Sequence, residues 1–157
     1  MADPGNYNLK SEVLTMEQNN TQNALPEIRQ TSVFNAPIGK VWDAVATSEG
    51  IAAWFMPNDF EPVVGHEFHL NAGPYGMAWC KVTEFDPPRR LSFLWTKDWT
   101  ITFELADLGD KTEFTLIHAG WDADKVTEFG QPHTAVRENM AGGWVGLAKK
   151  LAAYVEQ

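Results

Sequence analysis

Thr134–Gln157, TAVRENMAGGWVGLAKKLAAYVEQ, decides the fold of this chain. Val136, Met140, Trp144, Leu147, Leu151 and Val155 recur there every three or four residues, the spacing of one face of an α-helix. At about 100° per residue, Met140, Trp144, Leu147, Leu151 and Val155 fall within a sector of roughly 80°. Glu138, Lys149 and Glu156 fall nearly opposite. A helix with a single apolar stripe has to lay that stripe on a partner.

The partner is upstream. From Pro62 to Ala119 the chain reads as successive short strands rich in aromatic and β-branched residues. His66, Phe68 and Leu70 alternate with Glu67 and His69. Met77–Phe85 reads as a strand with apolar residues on both faces, so its inner face is not assigned. Leu91, Phe93 and Trp95 form one face of the next strand. Trp99, Ile101, Phe103 and Leu105 alternate with Thr100, Thr102 and Glu104, and Phe114, Leu116 and His118 share a face of the last strand. Asp86-Pro87-Pro88 and Leu108-Gly109-Asp110-Lys111 are turn signals between them.

Before this meander, Glu27–Asn35 reads as a first strand. Pro37 opens a short helix carrying Ile38, Val41, Trp42 and Val45, and Ser48 is the candidate cap of a second, Glu49–Phe55. Sequential strands with short turns and helices on one side only give the α+β class. Residues 1–25 are polar, with clustered Asn and Gln and no period, so a disordered tail is expected, and residues 26–157 are expected to form one domain. Met16 offers an alternative start within the tail.

Composition removes several function classes. The net charge is −9, whereas nucleic-acid and anionic-membrane partners need clustered Lys and Arg. No apolar run approaches the roughly 20 residues that span a bilayer, and the N-terminus lacks the basic-then-apolar order of a secretory signal. Cys80 is the only cysteine, which rules out an internal disulfide and fits a cytoplasmic location. Seven Trp and nine Phe supply large, stiff apolar surfaces that either fill a core or wall a cavity.

Motifs for chemistry are sparse. His66 and His69 are three apart on a predicted strand, which sends their imidazoles to opposite faces, so no metal site is expected. Cys80 reads as a small buried hydrophobe, and Asp98 as a turn residue. Glu84 and Asp86 do not make an acid–base pair, because Asp86 belongs to the Pro-Pro turn. Gly73-Pro74-Tyr75-Gly76 opens no helix and so cradles no phosphate. His118 points inward with Phe114 and Leu116. It is either a core histidine with satisfied partners or a polar handle inside an apolar pocket. Three glycines, Gly142, Gly143 and Gly146, interrupt the terminal helix. Only Gly143 borders the stripe, where a close helix–sheet approach would explain it.

Taken in order, these pieces resemble the START-like superfamily, also called SRPBCC or helix-grip, in the branch of the activator of heat-shock chaperone ATPase. Phe34-Asn35-Ala36-Pro37-Ile38-Gly39-Lys40-Val41-Trp42 is similar to the family's first strand and helix start, and Trp54-Phe55 to its paired aromatic. Val64-Gly65 with Phe68, Glu84-Phe85-Asp86-Pro87-Pro88-Arg89-Arg90-Leu91 with Trp95, His118-Ala119-Gly120-Trp121, and Gly143-Trp144 with Leu147 and Leu151 follow. The family usually has a second glycine where this chain has His66. The resemblance implies a curved antiparallel sheet of about seven strands wrapped around the C-terminal helix, with a cavity between them. It also implies a hydrophobic, aromatic or polyketide- or lipid-like ligand and no cofactor. Trp54, Phe55, Phe68, Trp95, Phe103, Phe114, His118, Met140 and Trp144 are the candidates to line that cavity. The alternatives are a protein-interaction module of the chaperone-activator kind and a cyclase- or hydrolase-type enzyme on the same scaffold. Binding is preferred to catalysis, because His118 stands without a polar constellation.

Overall fold

A computed structural model describes residues 23–157. The strands are β1 (Ile28–Phe34), β2 (Glu67–Asn71), β3 (Met77–Asp86), β4 (Arg90–Trp95), β5 (Trp99–Asp107) and β6 (Thr112–Ala119). The helices are α1 (Ile38–Val45), α2 (Ser48–Trp54) and α3 (His133–Val155), with a 3-10 turn at Gly73–Tyr75. The strands form one antiparallel sheet in the order β1-β6-β5-β4-β3-β2. The sheet therefore has six strands where the family resemblance implied about seven. Strands β2 to β6 are a meander, and β1 joins its far edge beside β6 because α1 and α2 carry the chain across. The expected disordered tail, apart from its last three residues, lies outside the described residues. Those three are held: Leu25 N–H bonds the Trp121 carbonyl at 3.0 Å, and Ala123 N–H bonds that of Asn23 at 2.7 Å.

One face of the sheet is buried. Phe68, Leu70, Cys80, Val82, Leu91, Phe93, Ile101, Phe103, Leu105, Phe114 and Leu116 supply it, joined by Val41, Val45, Ile51 and Trp54 from the short helices. Each fully buried side chain of this size is worth about 1.5–3 kcal/mol. The two-faced look of β3 has a physical cause. The register shifts between Val82 and Glu84, a bulge that turns Phe85 to the same side as Cys80 and Val82. There its ring meets Trp42 at 5.6 Å.

The second helix is capped by Thr47 and not by Ser48. The Thr47 hydroxyl accepts from Gly50 N–H at 3.0 Å, and Ser48 instead donates to the Asn58 carbonyl at 3.1 Å. Gly50 is where α1 and α2 nearly touch: a Cβ there would lie 2.3 Å from the Asp43 carbonyl oxygen. Trp54 seals this contact by donating its indole N–H to Ala44 O at 2.8 Å.

The terminal helix closes the open face unevenly. Leu151 and Val155, near its C-terminal end, are buried and anchor it over the core beside β1 and α1. Met140 and Leu147, in the middle of the same stripe, are only half-buried. No helix among the described residues is long and apolar enough to cross a membrane.

Candidate functional site

The half-buried stretch of α3 faces a pocket of about 460 Å³. It sits at one end of the molecule, where the N-terminal half of α3 stands away from the start of β3 and the β4–β5 turn. Phe55 and Met56, just past α2, make one wall. Trp95 and Trp99 make the sheet side, and Val136, Met140, Gly143, Trp144 and Leu147 make the helix side. Tyr75, Met77 and Phe129 form the mouth: all three are well exposed, and the Tyr75 and Phe129 rings lie 5.7 Å apart. The pocket thus opens between the 3-10 turn and the Trp121–Pro132 connection.

Aromatic contacts shape the walls. Phe55 meets Trp54, Trp95 and Trp144 at ring separations of 5.3, 5.7 and 5.2 Å, within the range for favourable aromatic pairing. Trp144 is fixed from behind, because its Nε1–H donates to His118 Nδ1 at 2.9 Å.

Of the nine residues expected at the cavity, Phe55, Trp95, Met140 and Trp144 line it. Trp54, Phe68, Phe103, Phe114 and His118 do not; they are buried in the core beneath. Trp54 packs on Phe103 at 5.7 Å, Phe68 on Phe60 at 5.3 Å and Phe114 on Phe34 at 5.3 Å. Phe68, Phe103, Phe114 and His118 share the inner face of the sheet with Trp95, and Trp54 of α2 packs onto that face, but all five lie in the closed part of the core. His118 is enclosed by Trp95, Trp99, Trp121 and Trp144. Burial pushes its pKa down to about 3, assisted by the positive charge of Arg137 and by His133. It is therefore neutral, with Nδ1 accepting and Nε2 carrying the proton, and it supports Trp144 from outside the pocket.

Gly143 needs a different reason from the expected close approach. A Cβ at Gly143 would meet nothing within 4 Å. The glycine borders open pocket space, and its missing side chain widens that space.

One group of polar residues meets at the β4–β5 turn and the start of α3. Asp98 sits in the β4–β5 turn, which begins with Thr96 in the left-handed region at φ 58°. Gly120 holds that turn against the end of β6: at φ 101°, a Cβ there would lie 2.0 Å from the Asp98 carbonyl oxygen. The Asp98 carboxylate meets Lys125 Nζ at 3.2 Å through Oδ1 and His133 Nε2 at 3.8 Å through Oδ2. His133, the first residue of α3, is fully buried, and its Nδ1 accepts from Asp122 N–H at 3.2 Å. Asp98, Trp99 and His133 all line the pocket. The sequence reading placed Asp98 as a plain turn residue and did not single out His133 or Trp99 as site residues. The one available signal was Asp98 beside Trp99 in a turn between two strands; nothing adjoining His133 in the sequence marks it.

Elsewhere, the candidate chemistry is structural. β2 begins at Glu67, so His66 precedes the strand. Both imidazoles meet Asp59, His66 at its carbonyl (3.2 Å) and His69 at its carboxylate (3.5 Å). Among the described residues no group of three or more His, Cys, Asp or Glu is arranged to hold a metal. Cys80 is buried, and desolvation raises its thiol pKa, which makes it a poor nucleophile.

Comparison with known proteins places this architecture. The family profile described as "Activator of Hsp90 ATPase homolog 1-like protein" matches residues 35–156. The solution structure of Bacillus halodurans protein BH1534 is 43% identical, with a TM-score of 0.78 over 86% of this chain and 100% of that one. The Aha1 dimer from Colwellia psychrerythraea is 18% identical, with a TM-score of 0.68 over 84% of this chain and 97% of that one. DynU16, from the dynemicin biosynthetic locus, is 20% identical, with a TM-score of 0.69 over 85% of this chain and 48% of that one. The last two show likeness of fold alone. No curated protein matches the chain.

Proposed function

The chain belongs to the Activator of Hsp90 ATPase homolog 1-like family, and from that premise we propose that it binds a hydrophobic, aromatic small molecule between the sheet and α3. The observation that carries this reading is the pocket of about 460 Å³. That volume falls in the range of roughly 300–1,000 Å³ typical of small-molecule sites. Its walls are mainly indole, phenyl and thioether groups, with polar residues such as Asp98, Gln131, His133 and Asn139 set among them, the usual division between affinity and orientation. Met56, Met77 and Met140 add adaptable surface that follows the outline of different guests.

The reading is tested by NMR and thermal melting against a panel of aromatic and lipid-like compounds. A binder is expected to move the signals of Phe55, Trp95, Met140 and Trp144 saturably and to raise the Tm by mass action. A panel that moves none of them removes the proposal. Stimulation of a chaperone ATPase by the ligand-free protein would favour the protein-interaction alternative instead.

A further inference from the structure

Resting on the reading of this space as a ligand pocket, we propose that Asp98, Trp99 and His133 form a subsite for an uncharged hydroxyl group on the bound aromatic molecule. Trp99 Nε1 and His133 Nε2 are buried and have no hydrogen-bond partner. Buried polar atoms are nearly always bonded, and leaving one unpaired is costly. Two such donors on residues that line the same pocket, one from the sheet and one from α3, with their rings 5.9 Å apart, point to an acceptor supplied by a guest.

The protonation pattern narrows the chemistry. His133 Nδ1 is occupied as an acceptor from Asp122 N–H, which puts the ring proton on Nε2 and offers a donor there. An indole N–H can only donate. Asp98 offers the opposite: Oδ1 is engaged by Lys125, while Oδ2 stands 3.8 Å from His133 Nε2, too far for a direct hydrogen bond. An oxygen lying beside both atoms would bridge that gap. It must accept from an N–H group and donate to the carboxylate. A hydroxyl does both. A ketone supplies no proton for Asp98, a carboxylate is repelled by it, and an ammonium cannot accept from the two N–H groups. The third unpartnered atom, His118 Nε2, belongs to a residue outside the pocket wall, so it takes no part.

The test compares 2-naphthol, naphthalene and 2-naphthoate by NMR titration of the full chain. 2-Naphthol is expected to bind about tenfold more tightly than naphthalene, the factor set by one or two added hydrogen bonds, and to shift the His133 ring signals that naphthalene leaves in place. 2-Naphthoate is expected to bind more weakly than 2-naphthol. Trp99→Phe keeps the aromatic wall but removes one donor. It should reduce the naphthol-to-naphthalene preference by about threefold or more, a ratio in which the loss of wall area common to both probes cancels. Asp98→Ala should reduce the preference and relieve the exclusion of naphthoate. Equal affinities for naphthol and naphthalene in the unmodified protein, with shifts at Phe55 and Trp144, would overturn the subsite and leave the pocket standing. If no probe moves any pocket signal, both proposals fall together.

Discussion

Trp144 Nε1 donates to His118 Nδ1 at 2.9 Å, joining the middle of α3 to the end of β6 inside a cage of four indoles. This bond sets the depth at which the Trp144 ring enters the pocket wall. Trp144→Phe leaves the imidazole nitrogen buried without its donor, so a loss of about 1–3 kcal/mol is expected, added to the smaller apolar area. Urea unfolding measures it. Unchanged stability would mean that the bond does not hold α3 to the sheet.

The same histidine predicts a pH dependence. Its folded pKa, about 3, lies below the unfolded value of about 6.5. Between those values the unfolded chain binds more protons, so stability rises with pH and is lost as pH falls from about 6.5 toward 3. The slope from this residue approaches about 1.4 kcal/mol per pH unit. An NMR titration should show the His118 ring unmoved down to about pH 4. A midpoint near 6.5 would contradict its desolvated position.

Alternation along the strands revealed which side chains face inward, because a half-buried sheet imposes a period of two. It did not reveal how far along each strand the helix remains in contact. Phe103 and Trp95 both carry the inward signal, yet Phe103 lies beneath Trp54 and Trp95 opens onto the pocket. The difference depends on where α3 lifts away, a tertiary property. The bulge beyond Val82 hid the inner face of β3 for a related reason, since one added residue inverts the alternation. Tyr75, Met77 and Phe129 at the mouth, and Asp98 and His133 in the polar group, lie in turns or at element ends. Periodicity carries no information at such positions.

Gly120 is expected to tolerate no side chain. A Cβ would lie 2.0 Å from the Asp98 carbonyl oxygen, at a backbone φ of 101°. Gly120→Ala should cost about 2–4 kcal/mol and displace the turn that carries Asp98. Gly109 is the control, with a similar φ of 94° but open space around it. Gly109→Ala should show only the conformational penalty of about 1–2 kcal/mol. Equal costs at the two positions would remove the steric argument for Gly120.

Gly143 gives the sharpest separation of stability from binding. A helix-interior glycine is less favourable than alanine by about 1 kcal/mol, and nothing within 4 Å would obstruct a Cβ at Gly142, Gly143 or Gly146. Packing therefore does not require any of the three. Gly143 lines the pocket, whereas Gly146 does not. Both Gly143→Ala and Gly146→Ala should raise stability by up to about 1 kcal/mol, read as a higher Tm. Gly143→Leu should project an isobutyl group into the cavity and weaken any aromatic guest by about tenfold or more, the cost of losing one good apolar contact surface. Gly146→Leu should leave affinity unchanged. Equal affinities for the two leucine variants would show that the guest does not lie against this part of α3.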